Sequence, residues 1–269
     1  MILAMRAARA RPLRRAAAAL STLAASGAAE ALIQAPFPLP PAFGLTILPA
    51  FISEEEEGAL DAHCAAALSR RPWEASHFDA VIQHYREAQL PLARLPRVAA
   101  AAIARAQAAF PPAGGAVGRH MDALHALELA PRGAIAPHVD SVKFSGGVVA
   151  GLCLRSEALL ELTVDAGAEG DGRAPTAAAW AARAGGGGGS GSAQPAPLQV
   201  TALLPRRCLY ILTGEARYGW AHAIPLGGEW QGRSVVRSAR GRLSIILRDA
   251  LPEGEGAQQA QQQQAQPLA

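Results

Sequence analysis

Between residues 123 and 248 short apolar runs recur, each bounded by glycine, proline or a polar turn, and this punctuation narrows the fold more than anything else in the chain. Residues 123–129 alternate apolar and other side chains. Pro131-Arg132-Gly133 is expected to turn the chain before a second run opens at Ile135 and reaches His138-Val139-Asp140. Further strands are expected at 148–154, 158–162, 198–204, 208–212, 217–224 and 242–248, with a turn at Thr213-Gly214-Glu215. Many short strands joined by Gly/Pro turns close into a sandwich or barrel. The expected class is therefore mostly β (α+β), of jelly-roll or cupin kind.

Helical periodicity is confined to the N-terminal third. Ser53-Glu54-Glu55-Glu56 is a capping box opening a helix to about Ser69, and a second helix is expected from Pro96 to Ala109. The acids of the first turn suit the helix dipole and read as a solvated helix start. A short edge strand is expected at 45–49, and another strand from His77 towards Glu87.

The strand alternation gives the polar residues their meaning. On a strand His138 and Asp140 share a face, and so do Arg242 and Arg248, six residues apart. His222 lies 82 residues after Asp140 and 20 before Arg242. Two imidazoles and one carboxylate leave the opposite side of a metal open, the ligand pattern of non-haem Fe(II) oxygenases. Two arginines aimed into the same cavity suit a ligand with two carboxylates, since guanidinium pairs with each in bidentate fashion. Ser244 and Ile246 share the arginines' face while Leu243, Ile245 and Leu247 take the other. An internal arginine with no anion would be costly. The expectation is an Fe(II) site using 2-oxoglutarate and O2. Singly, these residues have plainer readings: a packed histidine for His222, surface charge for each arginine. His77-Phe78-Asp79 repeats the His-x-Asp pattern but lacks a matching downstream set, so it is read as structural.

Composition bounds the alternatives. Of 25 basic residues only Lys143 is a lysine, and Arg6, Arg9, Arg11, Arg14 and Arg15 lie in the first segment, so the rest of the chain is near neutral. No basic field argues for nucleic acid. Cys64, Cys153 and Cys208 are odd in number and widely spaced, which suits buried reduced thiols better than a disulfide or zinc framework. Residues 1–35 are arginine-rich, with no acid before Glu30, and read as an organelle transit peptide; secretion or a plastid is the lesser reading. Residues 36–52 form a proline-rich linker and edge strand, and 53–254 the folded domain. Residues 165–197 are a Gly-rich insertion and 255–269 a Gln/Ala-rich tail, both expected to be disordered. No stretch is expected to span a membrane.

Residues 43–254 resemble the AlkB family of Fe(II)/2-oxoglutarate dioxygenases, most closely the mitochondrial subfamily of the seventh human AlkB homologue. The resemblance rests on His77-Phe78-Asp79-Ala80-Val81-Ile82, on Pro137-His138-Val139-Asp140-Ser141-Val142-Lys143-Phe144 and on Leu209-Tyr210-Ile211-Leu212. It continues through Ala216-Arg217-Tyr218 with His222, the Arg242 and Arg248 pair, and Leu251-Pro252-Glu253-Gly254. It implies a double-stranded β-helix with N-terminal helices on one side, His138, Asp140 and His222 on iron, and Tyr210 with Arg242 on the distal carboxylate of 2-oxoglutarate. Arg248 would sit near the chelating end.

Two departures stand out. The family's Asn-x-Tyr positions are Leu127 and Leu129, and the stretch from Pro111 to Asp122 is short and free of aromatics. A base flipped from duplex DNA would lack its stacking partner there. The resemblance implies a monomer in the mitochondrial matrix acting on a protein side chain or mitochondrial RNA, with roles in regulated necrosis and fatty-acid metabolism. The alternative is a non-catalytic metal or 2-oxoglutarate binder acting through protein partners.

Overall fold

The computed structural model describes residues 32–77, 79–111, 120–141, 145–164 and 198–250. Most of the segment read as a transit peptide, the Gly-rich insertion and the C-terminal tail lie outside these residues. Described strands run in the order β1 (Ile33–Gln34), β2 (Leu45–Leu48), β3 (Glu74–Ser76), β4 (Ile82–Pro91), β5 (Ala123–His138), β6 (Val149–Leu154) and β7 (Ala158–Val164). They continue with β8 (Gln199–Leu204), β9 (Leu209–Leu212), β10 (Trp220–Ile224), β11 (Gly227–Trp230), β12 (Arg233–Val236) and β13 (Arg242–Arg248). The helices are α1 (Glu54–Leu68), α2 (Arg97–Ala108) and the short α3 (Gly214–Tyr218). Among the described residues no helix is long and apolar enough to cross a membrane.

One antiparallel sheet curls through the order β1-β8-β7-β10-β5-β13-β6-β9-β2, with β4 and β3 added beside β5, and β11-β12 form a separate hairpin. This is the double-stranded β-helix expected. The alternation in β13 separates two cores. Leu243, Ile245 and Leu247 join Leu60, Cys64, Ala102, Ile103, Leu152 and Leu209 between the sheet and α1 and α2. Ile246 faces inward, with Leu127, Leu129, Cys153, Leu162, Tyr210 and Trp220. Both helices thus cover one side of the sheet. All three cysteines are free and buried.

Several expectations need correction. Pro131-Arg132-Gly133 does not end a strand: β5 is continuous over 16 residues. Its pairing with β4 shifts register between Gln83 and Tyr85, where His84 has φ 49°. The extra residues bulge outward, and the Arg237 guanidinium ties them down through the Ala130 and Gly133 carbonyls. A Cβ at Gly133 would lie 2.6 Å from the His84 carbonyl oxygen, so the bulge requires glycine. His77 and residues 79–81 lie outside any strand, and β4 starts only at Ile82. Asp79 accepts from the Val81 N–H at 3.0 Å and holds His77 Nδ1 at 2.8 Å, the local structural role read for that pair. Thr213-Gly214-Glu215 starts α3 instead of turning directly into a strand, so the following strand begins at Trp220, not Arg217. Ile33 and Gln34, at the end of the segment read as a transit peptide, pair with Ala202 and Thr201.

The capping box at Ser53 forms as expected. The acids behind it are not all solvated, however. Glu56 binds Arg105 at 2.8 Å. Glu57 is 3% exposed; it accepts from the Arg155 N–H at 2.8 Å and pairs with Arg206 at 2.8 Å. The first contact ties α1 to α2, and the other two tie it to the connections after β6 and β8. Glu57→Ala would leave a buried N–H unpaired and should lower unfolding free energy by about 2 kcal/mol. The exposed Glu55→Ala should change it by less than about 0.5 kcal/mol. Urea denaturation of the two variants measures both.

Candidate active site

The site begins where β5 meets β10. His222 is the Cα partner of His138 across these antiparallel strands. The two rings lie with centroids 4.3 Å apart. Asp140 follows two residues beyond His138, just past the strand end. Its Oδ2 is 3.8 Å from His222 Nε2, and one ligand atom from each of His138, Asp140 and His222 falls within 4.8 Å of the others. His138 Nδ1 lies 3.0 Å from the Ala136 carbonyl oxygen. A carbonyl only accepts, so Nδ1 carries the proton and Nε2 keeps its lone pair for a metal.

The loop carrying Asp140 is held from two directions. Arg217 on α3, fully buried, donates from Nη1 to the Asp140 carbonyl at 2.8 Å and from Nη2 to Ser145 Oγ at 3.0 Å. Asp249, just past β13, accepts from the Gly147 and Val148 N–H groups at 3.0 and 2.8 Å. On the side-chain end, Arg248 Nη2 donates to Asp140 Oδ1 at 3.3 Å. Burial alone would raise the Asp140 carboxyl, but Arg248, then His222, His138 and Arg217, bring it down to about 2. Burial, and then the neighbouring His138, push His222 down to about 3, so its ring is a neutral donor at any physiological pH.

The second arginine of β13 lies deeper. Arg242 is 1% exposed, and its Nη2 lies 3.3 Å from Cys153 Sγ. The Cys208 thiol hydrogen-bonds Cys153 and lowers its thiol against the effect of burial, with Arg242 adding to the lowering. Tyr210, whose hydroxyl is pushed up to about 12 by burial, crosses Gly151 on the adjacent strand. A Cβ there would lie 2.3 Å from the Tyr210 ring, so glycine makes room for the aromatic. Arg242 Nε and Ser244 Oγ are buried without a hydrogen-bond partner among the described residues. Both belong to the inward row of β13 that ends at Arg248. A row of orphaned donors ending beside two histidines and a carboxylate suits an anionic ligand that reaches the metal position.

The structure therefore brings together all three expected metal ligands, and Arg248 reaches Asp140. Arg242 and Tyr210 lie in the same interior. Leu127 and Leu129, where the family carries Asn and Tyr, are buried carbon in this core. Arg217, Asp249, Gly151, Ser244 and His125 had no role assigned from sequence. Of these His125 left a signal, since it shares the inward parity of Leu127 and Leu129.

A His-Asp-His facial set inside a double-stranded β-helix, with orphaned guanidinium and hydroxyl donors behind it, defines a non-haem iron, 2-oxoacid-dependent oxygenase. Its relatives agree. The chain is 33% identical over 214 residues to the mitochondrial alpha-ketoglutarate-dependent dioxygenase alkB homolog 7 of Mus musculus, covering 77% of this chain and 79% of the mouse protein. It is 33% identical over 210 residues to the Bos taurus protein of the same name, covering 78% and 80%. No family model matches. The solved structure of OsALKBH1 aligns with a TM-score of 0.44 at 13% identity, over 81% of this chain and 99% of that one. A Pseudomonas putida prolyl-4-hydroxylase aligns with 0.45 at 14% identity, over 78% and 94%. The chain belongs to the alkB homolog 7 family of Fe(II)- and 2-oxoglutarate-dependent dioxygenases, enzymes that use O2.

The depressed pKa values make the metal-free site acid-sensitive. Below pH 6.5 the unfolded chain protonates His222 while the folded one refuses the proton until about pH 3, so stability falls as pH drops through that interval. The loss is about 2 kcal/mol by pH 5. Asp140 adds to it only in stronger acid, from the ordinary carboxylate range down to about pH 2. Urea denaturation of chelator-treated protein at pH 7.5 and pH 5 should show a larger difference for the wild type than for His222→Leu.

Proposed function

We propose that His138, Asp140 and His222 hold Fe(II), that Arg242 and Tyr210 take the distal carboxylate of 2-oxoglutarate, and that Arg248 stands near its chelating end. The observation carrying this reading is the inward row of β13, where Arg242 Nε and Ser244 Oγ are buried without partners in line with Arg248 at Asp140. Bound iron, 2-oxoglutarate and O2 would supply the oxidation of a substrate C–H bond, one oxygen atom going to the substrate and the other to succinate as CO2 is released. The chain's own residues do the rest. His138 and His222 offer ring nitrogens, Arg217 and Asp249 hold the Asp140 loop in place, and the apolar interior keeps water from the cosubstrate end.

The substrate we infer is a protein side chain in the mitochondrial matrix. A pocket of about 280 Å³ opens at Arg248, lined by Gln89, Met121, Ala123, His125, Ile246 and Arg248. Besides His125 and Arg248 these walls offer aliphatic and thioether surface and one primary amide, and among the described residues that line the pocket there is no Phe, Tyr or Trp on which a nucleobase would stack. Roles in regulated necrosis and fatty-acid metabolism would follow from that location. A methylated base of mitochondrial RNA is the competing substrate, and a non-catalytic sensor the competing class.

Under anaerobic conditions Fe(II) and 2-oxoglutarate should give a weak visible charge-transfer band, lost in His138→Ala and weakened roughly ten- to hundredfold in 2-oxoglutarate affinity in Arg242→Ala. With O2, mitochondrial protein fractions should accelerate succinate release and methylated RNA should not. Acceleration by RNA alone overturns the substrate assignment. A band with no acceleration by either favours the sensor. Import of the full chain into isolated mitochondria, with N-terminal shortening, checks the location.

A further inference from the structure

We propose that Glu87 and His125 are a positioning pair that sets Arg248 and, through it, the metal-facing carboxylate of Asp140. The proposal rests on the iron site proposed above and adds two residues on neighbouring strands to it. Three adjacent strands carry the chain of contacts. On β5, His125 is the Cα partner of Gln89 on β4 and of Ile246 on β13. Its ring reaches the diagonal neighbours on that face, Glu87 two residues before Gln89 on one side and Arg248 two residues after Ile246 on the other. Glu87 Oε2 lies 2.7 Å from His125 Nε2, and Arg248 Nη1 lies 3.5 Å from His125 Nδ1. Arg248 then reaches Asp140 Oδ1 at 3.3 Å.

Donor and acceptor roles in this line have one solution. A guanidinium has only donors, so His125 Nδ1 must accept, and the ring proton must sit on Nε2 facing the Glu87 carboxylate. A doubly protonated ring would turn an N–H against the guanidinium. A neutral His125 therefore stands between an anion and a cation, and the hydrogen bond from its ring holds the Glu87 carboxyl below the usual carboxylate range. At the far end Arg248 occupies Oδ1 of Asp140. The other oxygen, Oδ2, is the one 3.8 Å from His222 Nε2. Arg248 thereby presents Asp140 to the metal through a single oxygen, and Glu87 with His125 fixes which way Arg248 points. The same two side chains, His125 and Arg248, also wall the pocket of about 280 Å³. A role limited to touching substrate would leave metal affinity unmoved, and that separates the two.

The test uses the full chain freed of metal. Nitrogen-15 NMR of the imidazoles should find His125 protonated at Nε2 and not at Nδ1 at neutral pH. Co(II), titrated by its visible absorption, should bind His125→Phe about 10- to 100-fold more weakly than the wild type, in keeping with the loss of outer support for a metal ligand. His125→Gln, whose amide oxygen can still accept from Arg248, should recover to within about threefold. Glu87→Gln keeps the shape of the site and should weaken Co(II) several-fold, which decides the matter if His125→Phe does not fold. An Nδ1-protonated ring, or wild-type Co(II) affinity in both His125→Phe and Glu87→Gln, overturns the pair. A wild-type protein that binds no Co(II) overturns the iron reading itself.

Discussion

The pairing of β5 with β10 is the constraint on which the rest of the site depends. It sets His138 directly opposite His222, residues far apart in the chain, and no local propensity could do so. A slip of one residue would turn His222 to the other face of the sheet and destroy the set. Register is protected because the flanking partners are large and buried: Trp220 is fully buried, and β10 is paired on its other side with β7 through Leu162 at His222. The bulge in β5 matters for the same reason. It lets one strand pair with β13 in its first half and β10 in its second, carrying the chain from one side of the roll to the other.

Around that pairing the molecule tolerates three arginines in or near its interior, and each is handled differently. Arg217 directs its two Nη groups at the Asp140 carbonyl and at Ser145, while its Nε finds no hydrogen-bond partner among the described residues. Burial works to lower its pKa, yet its donors remain directed at the loop they hold. Arg248 is matched by the Asp140 carboxylate. Arg242 has a sulfur for a partner and one nitrogen without any. A buried guanidinium left that poorly satisfied is hard to explain as a structural element, since apolar packing would stabilise the site better. The carboxylate proposed for it above would supply the missing partner.

Much of this was legible in the primary structure because strand periodicity is local. The alternation of 242–248 separated the row facing the helices from the row facing inward, and the cores fall on those rows. The capping box and both long helices were readable for the same reason. What failed were places where a local signal had a tertiary answer. Pro131-Arg132-Gly133 carries every mark of a turn, yet Arg237, more than a hundred residues later, clamps it as a bulge. Glu57 looks like any acid in a first helical turn, but Arg206 and the Arg155 N–H are waiting for it.

By itself, then, the amino-acid order settled which residue types share a face and where chains start and stop being helical, because those follow from φ/ψ preferences and spacing within a few residues. It also named His138, Asp140, His222, Tyr210, Arg242 and Arg248 as candidates for metal and anion binding. Only the tertiary structure decided which of those groups meet, that Arg248 lies at Asp140 Oδ1 while Oδ2 faces His222, and that Arg217 and His125 lie within reach of Asp140 and Arg248. Such choices depend on hydrogen bonds between strands distant in sequence, and their geometry exists only once the sheet has closed.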